Sequence, residues 1–168
     1  MKLTDDVIML DCTKGSHVYA VKGADGVTLI DTSMPGRGEA ILSELAANGI
    51  QPGDVKRILL THHDVDHIGS VAYLQDKTGC EVYISANDYP YVMEGKKREG
   101  IKRLVGALMK PQKPKEVKKI TGKTIGEFFV LPTRPHARTH GLLFPRRAVS
   151  GGFGTGRTRY VSGDHGME

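Results

Sequence analysis

The sequence contains no tryptophan, only two cysteines and few aromatic residues, which make up 6% of the chain. Cys12 and Cys80 cannot form a disulfide framework, so reduced thiols and a cytoplasmic location are expected. No apolar run approaches the length of a membrane span, so no membrane association is predicted. Residues 1–6 carry acidic side chains where a signal peptide needs basic and then apolar ones. These absences argue against a disulfide-rich secreted scaffold and against a membrane protein.

The length and the charge distribution point to one globular domain. A chain of 168 residues, 39% of them hydrophobic, supports one sizeable core. The net charge of +5 is concentrated between Glu94 and Lys123, a range that contains eleven basic residues and three acidic ones. Residues 96–110 are interpreted as an amphipathic helix with a solvated basic face; an active-site lid or a polyanion-binding surface is the alternative. No aromatic residues interleave with these lysines, so nucleic-acid binding is not expected.

The most informative segment is Thr61–Ser70, which carries three histidines and two aspartates within six consecutive positions. It directly follows Ile58–Leu60, an apolar run typical of a buried strand. Open α/β sheets place their chemistry at the carboxyl ends of such strands. Imidazole and carboxylate are ligands of zinc, iron and manganese. The segment therefore predicts a metal site, with a solvated His-rich turn as the alternative, and its candidate ligands are His62, Asp64, Asp66 and His67.

These residues resemble the signature of the metallo-β-lactamase superfamily, His-x-His-x-Asp-His-x-Gly. The resemblance implies that His62 is a ligand of metal site one, that Asp66 and His67 belong to site two, and that Gly69 opens the next helix. Asp64 stands where the family usually has a second histidine, as in the competence-type hydrolases of the superfamily. His63 is offset by one position and is expected to point elsewhere. The implied cofactor is one or two zinc ions, and the added oxygen ligand makes iron or manganese an alternative.

The flanking sequence also resembles this family. Residues 17–21 and 26–32 read as two β-rich runs joined by a turn. The second ends Leu-Ile-Asp-Thr, where the resemblance implies that Asp31 supports the metal segment; a strand-end turn is the alternative. Residues 38–49 have helical spacing and an Asn-Gly stop, and Val55–Leu60 returns to the sheet. The expected fold is α/β, the N-terminal half of an αββα sandwich.

The resemblance weakens after Thr133. The family continues Pro-Gly-His-Thr-Pro-Gly-His, whose first histidine is a ligand of site one, whereas residues 134–140 read Arg-Pro-His-Ala-Arg-Thr-His. One possible set of codons for residues 133–144, read one base later, encodes the family motif. All fourteen lysines precede Thr133, whereas six arginines and seven glycines follow it. We therefore expect a reading-frame shift near Thr133, which divides the chain into a domain of residues 1–133 and an atypical tail of residues 134–168.

Two residues of the tail remain candidate ligands. His136 keeps the position of the family's site-one histidine, without its flanking glycine and proline. Asp164, in a Gly-Asp pair, resembles the aspartate that bridges both metals. The family's last ligand histidine is absent from the sequence, so a truncated variant with the C-terminal half largely missing is expected.

Three functions are compatible with these observations. The first is a metal-dependent hydrolase of a small ester, thioester, lactone or phosphodiester, in which Asp66 would orient the attacking water. The second is a metal-binding variant with weak or no activity, which is the preferred prediction for this chain. The third is a structural fragment that self-associates through an uncovered sheet, so a homo-oligomer is expected.

Overall fold

The structure is a computed structural model that describes residues 1–96, 108–109, 111–122, 124–125, 128–130 and 143–145. The chain forms two compact units, Met1–Ile120 and Thr121–Glu168. Most of the predicted basic helix, residues 97–107 and 110, lies outside the described residues, and Leu108 and Met109 are helical. In the described part of the chain, no helix has the length and apolar character needed to cross a bilayer.

The first unit is built on a six-stranded sheet whose spatial order follows the chain. Strands β1 to β3 are antiparallel neighbours, whereas β3 to β6 run parallel. The strands are β1 (Val7–Leu10), β2 (Val18–Gly23), β3 (Gly26–Ile30), β4 (Val55–Leu59), β5 (Glu81–Ser85) and β6 (Lys118–Ile120). The helices are α1 (Gly38–Ala47), α2 (Val65–Ile68), α3 (Val71–Thr78) and α4 (Tyr89–Met93), with a 3-10 turn at Pro52–Asp54.

The main core lies between one face of this sheet and the two longer helices. Alternate residues of a strand point to the same face, and Ala20, Leu29 and Ile58 share the buried face with their neighbours. The helical spacing of Ile41 and Leu45 directs both side chains of α1 into this core, where neither is more than 1% exposed. Parallel strands need a crossover connection, which α1 supplies between β3 and β4 and α3 between β4 and β5.

The second unit contains a small antiparallel sheet. Its strands are β7 (Thr124–Ile125), β8 (Phe128–Val130) and β9 (Leu143–Pro145), in that spatial order. Ile125 and Phe128 face each other across the first pair and are buried.

Most of the local predictions for the first unit are confirmed. The hairpin, the helix after it and the strand before the His-rich segment all form, and the helix ends at the predicted Asn-Gly, where Gly49 has φ 74°. One detail of the prediction is wrong. The segment expected to be a loop up to Gly69 becomes helical at Val65, with Asp64 at the N-cap position. Asp66 and His67 therefore lie on the single turn of α2.

Candidate metal site

The candidate site lies at the carboxyl end of β4, between the ends of two neighbouring parallel strands. Residues 61–68 are called here the His–Asp segment. The residue before the segment, Leu60, donates its main-chain N–H to the carbonyl of Tyr83 at 2.9 Å. The segment then turns into α2, where the carbonyl of Asp64 accepts from the N–H groups of His67 at 3.0 Å and Ile68 at 3.1 Å.

Asp31 organises the start of this segment from the end of β3. Its side chain is nearly inaccessible, and its backbone has φ 62°, a conformation that aspartate tolerates better than most residues. One carboxylate oxygen accepts from the N–H of Thr61 at 2.8 Å. The other accepts from the Thr61 hydroxyl at 2.8 Å and from Nδ1 of His67 at 2.8 Å. The resemblance predicted that Asp31 supports this segment, and these contacts confirm it.

These hydrogen bonds determine which ring nitrogens carry hydrogen. A carboxylate only accepts, so Nδ1 of His67 must be the donor to Asp31. The Thr61 hydroxyl donates its hydrogen to Asp31, so its oxygen accepts from Nδ1 of His62 at 3.0 Å. Both imidazoles, when neutral, therefore carry their lone pair on Nε2, the nitrogen that can ligate a metal. The role of Thr61 was not recognised in the sequence.

The structure brings the four predicted residues of the segment close together. Nε2 of His62 lies 3.4 Å from Oδ2 of Asp64, and Nε2 of His67 lies 3.6 Å from Oδ2 of Asp66. The two imidazole rings are 3.8 Å apart, centroid to centroid. Asp66 is the most accessible of the four side chains, at 32% exposed. Over the described ranges, however, no three His, Cys, Asp or Glu side chains are arranged around a common metal position.

The electrostatic environment favours positive charge at His67. Burial by itself lowers the pKa of this imidazole, but the hydrogen bond to Asp31 and the charges of Asp31, Asp66 and Asp64 outweigh burial and raise it above its ordinary value. Carboxylates that stabilise an imidazolium also suit a cation placed between these side chains.

Residues distant in sequence hold the backbone of α2 in place. The N–H and the hydroxyl of Thr32 both donate to the carbonyl of His67, each at 2.8 Å. The Ser16 hydroxyl donates to the carbonyl of Asp66. A Cβ at Gly69 would lie 2.3 Å from the nitrogen of Pro35, which is why the signature needs glycine there. Ser16 and Thr32 were missed because nothing in their local sequence indicates a contact with residues 35 to 50 positions away.

His63 also contacts residues outside the His–Asp segment, as its offset in the motif predicted, while its Nε2 lies 3.8 Å from Oδ1 of Asp64. Its Nδ1 lies 2.5 Å from Oδ1 of Asp88, just beyond β5. Its ring stacks on Tyr91 with centroids 4.0 Å apart and an interplanar angle of 10°. The contributions of Asp88 and Tyr91 were also missed in the sequence.

The two remaining candidates, His136 and Asp164, lie outside the described residues. Their roles as ligands stay predictions, as do the reading-frame shift near Thr133 and the boundary between residues 133 and 134.

The sequence match to a known family decides the identity of the fold. The model of the metallo-beta-lactamase superfamily matches residues 13–147, which include Asp31 and the whole His–Asp segment. The chain belongs to the metallo-beta-lactamase superfamily. The match also extends beyond Thr133, the point after which the resemblance was expected to weaken.

Individual relatives match shorter parts of this superfamily member. Hydroxyacylglutathione hydrolase of Xanthomonas axonopodis pv. citri (strain 306) is 38% identical over 71 residues, which are 42% of this chain and 26% of that protein. Metallo-beta-lactamase domain-containing protein 1 of Homo sapiens is 40% identical over 57 residues, which are 34% of this chain and 21% of that protein.

A solved structure supports the fold over a longer range. BJP-1, a subclass B3 metallo-beta-lactamase of Bradyrhizobium japonicum, superposes with a TM-score of 0.69 and 26% identity over 85% of this chain and 55% of that one. The α/β prediction, with the N-terminal half of the metallo-beta-lactamase fold, is thus confirmed. The chain spans about half the length of this structure and about a quarter of the curated relatives.

The donor set of the His–Asp segment fits the metal ions that members of this superfamily bind, which are often zinc. Two imidazoles with Nε2 lone pairs and two carboxylates are suitable ligands for zinc, iron and manganese. The side chains lie in two His–Asp pairs, so binding would require the pairs to close around the ion.

Proposed function

We propose that this chain carries the metal-binding segment of a metal-dependent hydrolase, with His62, Asp64, Asp66 and His67 as ligands. The observation that carries the proposal is the hydrogen-bond network of Asp31, because it directs Nε2 of both imidazoles towards the carboxylates of the same segment. Such partners of a ligating histidine fix its tautomer and its orientation. Zinc is the proposed ion, with iron or manganese as alternatives.

Residues beyond the described part would complete the site. By resemblance, His136 would add a nitrogen ligand and Asp164 a carboxylate shared by two ions. The proposal for the His–Asp segment does not depend on either residue, because three of its four donors are sufficient in number for one ion that keeps a water in its fourth position.

The proposed chemistry is hydrolysis. A bound ion would polarise the scissile bond and lower the pKa of its water to about 7. Asp66 is the most exposed of the four side chains, so its carboxylate can accept a hydrogen bond from that water and orient it for attack. The hydroxyacylglutathione hydrolases among the relatives make an acylglutathione the first substrate to test, followed by simple esters, lactones and phosphodiesters.

For this chain we propose weak or no turnover. Zinc sites usually have at least three protein ligands, and the described residues form pairs that are not arranged around one point. A metal-binding chain without catalysis is therefore the alternative to an active hydrolase.

The test is metal content followed by turnover. Zinc bound to the purified chain is measured by inductively coupled plasma mass spectrometry after dialysis, for the wild type and for Asp66→Ala and His67→Ala. Asp76→Ala is the matched control, because this aspartate lies on α3, outside the His–Asp segment, and forms an exposed ion pair with Lys115. We expect zinc to be retained by the wild type and the control and reduced in the two site variants. A wild-type chain that retains no zinc, iron or manganese would contradict the proposal, and turnover of an acylglutathione would separate hydrolase from metal-binding protein.

A further inference from the structure

We infer that Asp88 and His63 form a second positioning pair that holds the His–Asp segment from the side opposite Asp31. The inference rests on the proposed function, because its importance lies in His62 and Asp64, the proposed ligands on either side of His63. Neither Asp88 nor His63 is proposed to touch the metal or the substrate.

The first observation is that Asp88 is itself held firmly. Ser85, the last residue of β5, donates its hydroxyl to Oδ2 of Asp88 at 2.5 Å. The N–H of Asp88 returns a hydrogen bond to Oγ of Ser85 at 3.1 Å and another to its carbonyl at 3.2 Å. Three contacts to one residue place the carboxylate at a defined position beyond the end of β5.

The second observation is that His63 is restrained at both its edge and its face. Nδ1 donates to Oδ1 of Asp88 at 2.5 Å, and the stack on Tyr91 restricts rotation of the ring. The ammonium of Lys96 lies over the ring of Tyr91, 4.6 Å from its centroid. The ring of Tyr91 therefore contacts both the imidazole of His63 and the ammonium of Lys96.

The third observation is the position of this pair relative to the proposed ligands. Nε2 of His63 lies 3.8 Å from Oδ1 of Asp64, whose other oxygen is the one directed towards His62. Because His63 sits between His62 and Asp64 in the chain, fixing its side chain also fixes the two peptide units that carry their backbones. Loss of the Asp88 contact would let this part of the segment rotate.

The two positioning carboxylates follow from the sheet topology. Strand β4 lies between β3 and β5, and all three run parallel. Asp31 follows β3 and holds Thr61 and His67, whereas Asp88 follows β5 and holds His63. The segment after the middle strand is thus supported from both neighbouring strands.

The two pairs respond differently to replacement of the carboxylate by an amide. His63, the partner of Asp88, is not a proposed ligand, so its tautomer does not affect metal binding directly. In Asp88→Asn the amide oxygen can still accept from Nδ1 of His63, while the NH₂ group donates to Oγ of Ser85. We expect Asp88→Asn to behave nearly as the wild type and Asp88→Ala to lose the contact. This rescue separates a positioning role from a general need for charge.

The experiment uses two readouts on the full chain. Amide hydrogen exchange of the metal-free protein is followed by mass spectrometry in a peptide that covers residues 61–68, where the N–H groups of Thr61, His67 and Ile68 are hydrogen-bonded. Zinc affinity is then measured by competition with a chromogenic chelator. Asp88→Ala and His63→Ala are compared with Asp88→Asn and with the control Asp76→Ala.

We expect faster exchange in this peptide for Asp88→Ala and His63→Ala, with unchanged exchange in α1, and zinc affinity lowered by about tenfold, as for other residues that support metal ligands. The double variant Asp88→Ala/His63→Ala should lose no more protection from exchange and no more zinc affinity than either single variant, because both substitutions remove the same contact. Unchanged exchange in the peptide, or additive losses in the double variant, would overturn the inference. A wild-type chain that binds no zinc, iron or manganese would instead refute the proposed function, and the exchange data would still decide the positioning role.

Discussion

Replacing Asp31 by asparagine tests the proposed site most directly, because the substitution keeps shape and changes hydrogen-bond polarity. The amide oxygen in Asp31→Asn can still accept from the N–H of Thr61, but the new NH₂ group would face the Thr61 hydroxyl and Nδ1 of His67. To avoid a clash between donors, His67 would move its hydrogen to Nε2. The Thr61 hydroxyl would turn towards Nδ1 of His62 and favour the same change there.

The expected effect on the fold is modest, and the effect on metal binding is large. Loss of charge-assisted hydrogen bonds at a buried carboxylate lowers the free energy of unfolding by roughly 1–2 kcal/mol. To bind a metal through Nε2, both rings would have to carry their hydrogen on Nδ1 again. In His67 this N–H would then face the NH₂ group introduced by Asp31→Asn, which leaves a buried donor unsatisfied at a cost of roughly 1–3 kcal/mol. We therefore expect zinc affinity to fall by about 10- to 100-fold.

Chelator competition with the wild type and Asp31→Asn measures that affinity, and circular dichroism confirms that the variant is folded. The pH dependence of urea unfolding gives a second, metal-free readout. The pKa of His67 is raised in the folded chain, so its contribution to stability is fully present below pH 6.5 and is lost as pH rises through the folded pKa. Removing the Asp31 charge should reduce this pH dependence. An Asp31→Asn chain that binds zinc as tightly as the wild type would refute the tautomer argument.

Three further predictions concern packing, reactivity and assembly. Gly69→Ala should destabilise the chain by roughly 2–3 kcal/mol in urea unfolding, because its Cβ would lie 2.3 Å from the nitrogen of Pro35; Gly53→Ala, with no heavy atom within 4 Å of the new Cβ, is the matched control. Burial and the nearby Glu44 raise the pKa of Cys12 to about 12, so iodoacetamide at pH 8 should modify this thiol far more slowly than a free one, and faster in Glu44→Gln. Sedimentation at tens of micromolar should show a dimer or larger species, and a monodisperse monomer would contradict the predicted self-association.

The local features of the fold could be predicted because each depends on neighbouring residues. The apolar run before Thr61 and the alternation in β2 and β3 indicate strands, and the spacing of residues 38–47 indicates α1. A helix was expected after Gly69, and α3 begins there at Val71, but the single turn of α2 before it was not predicted, because four residues of helix are too few to show a helical period. The hydrogen bonds from Thr32 and Ser16, which support this turn, come from outside the segment.

The sequence by itself determined which side chains are the proposed ligands, since His62, Asp64, Asp66 and His67 lie within six positions and need only a turn to come close together. It did not determine which nitrogen of each histidine faces the carboxylates. That choice depends on Asp31, about 30 residues away, and the position of His63 depends on Asp88, 25 residues away. Only the parallel pairing of β3, β4 and β5 brings these carboxylates to the same edge of the sheet. Strand order is a property of the whole chain, because it is set by burial of the sheet against α1 and α3 rather than by any local pattern.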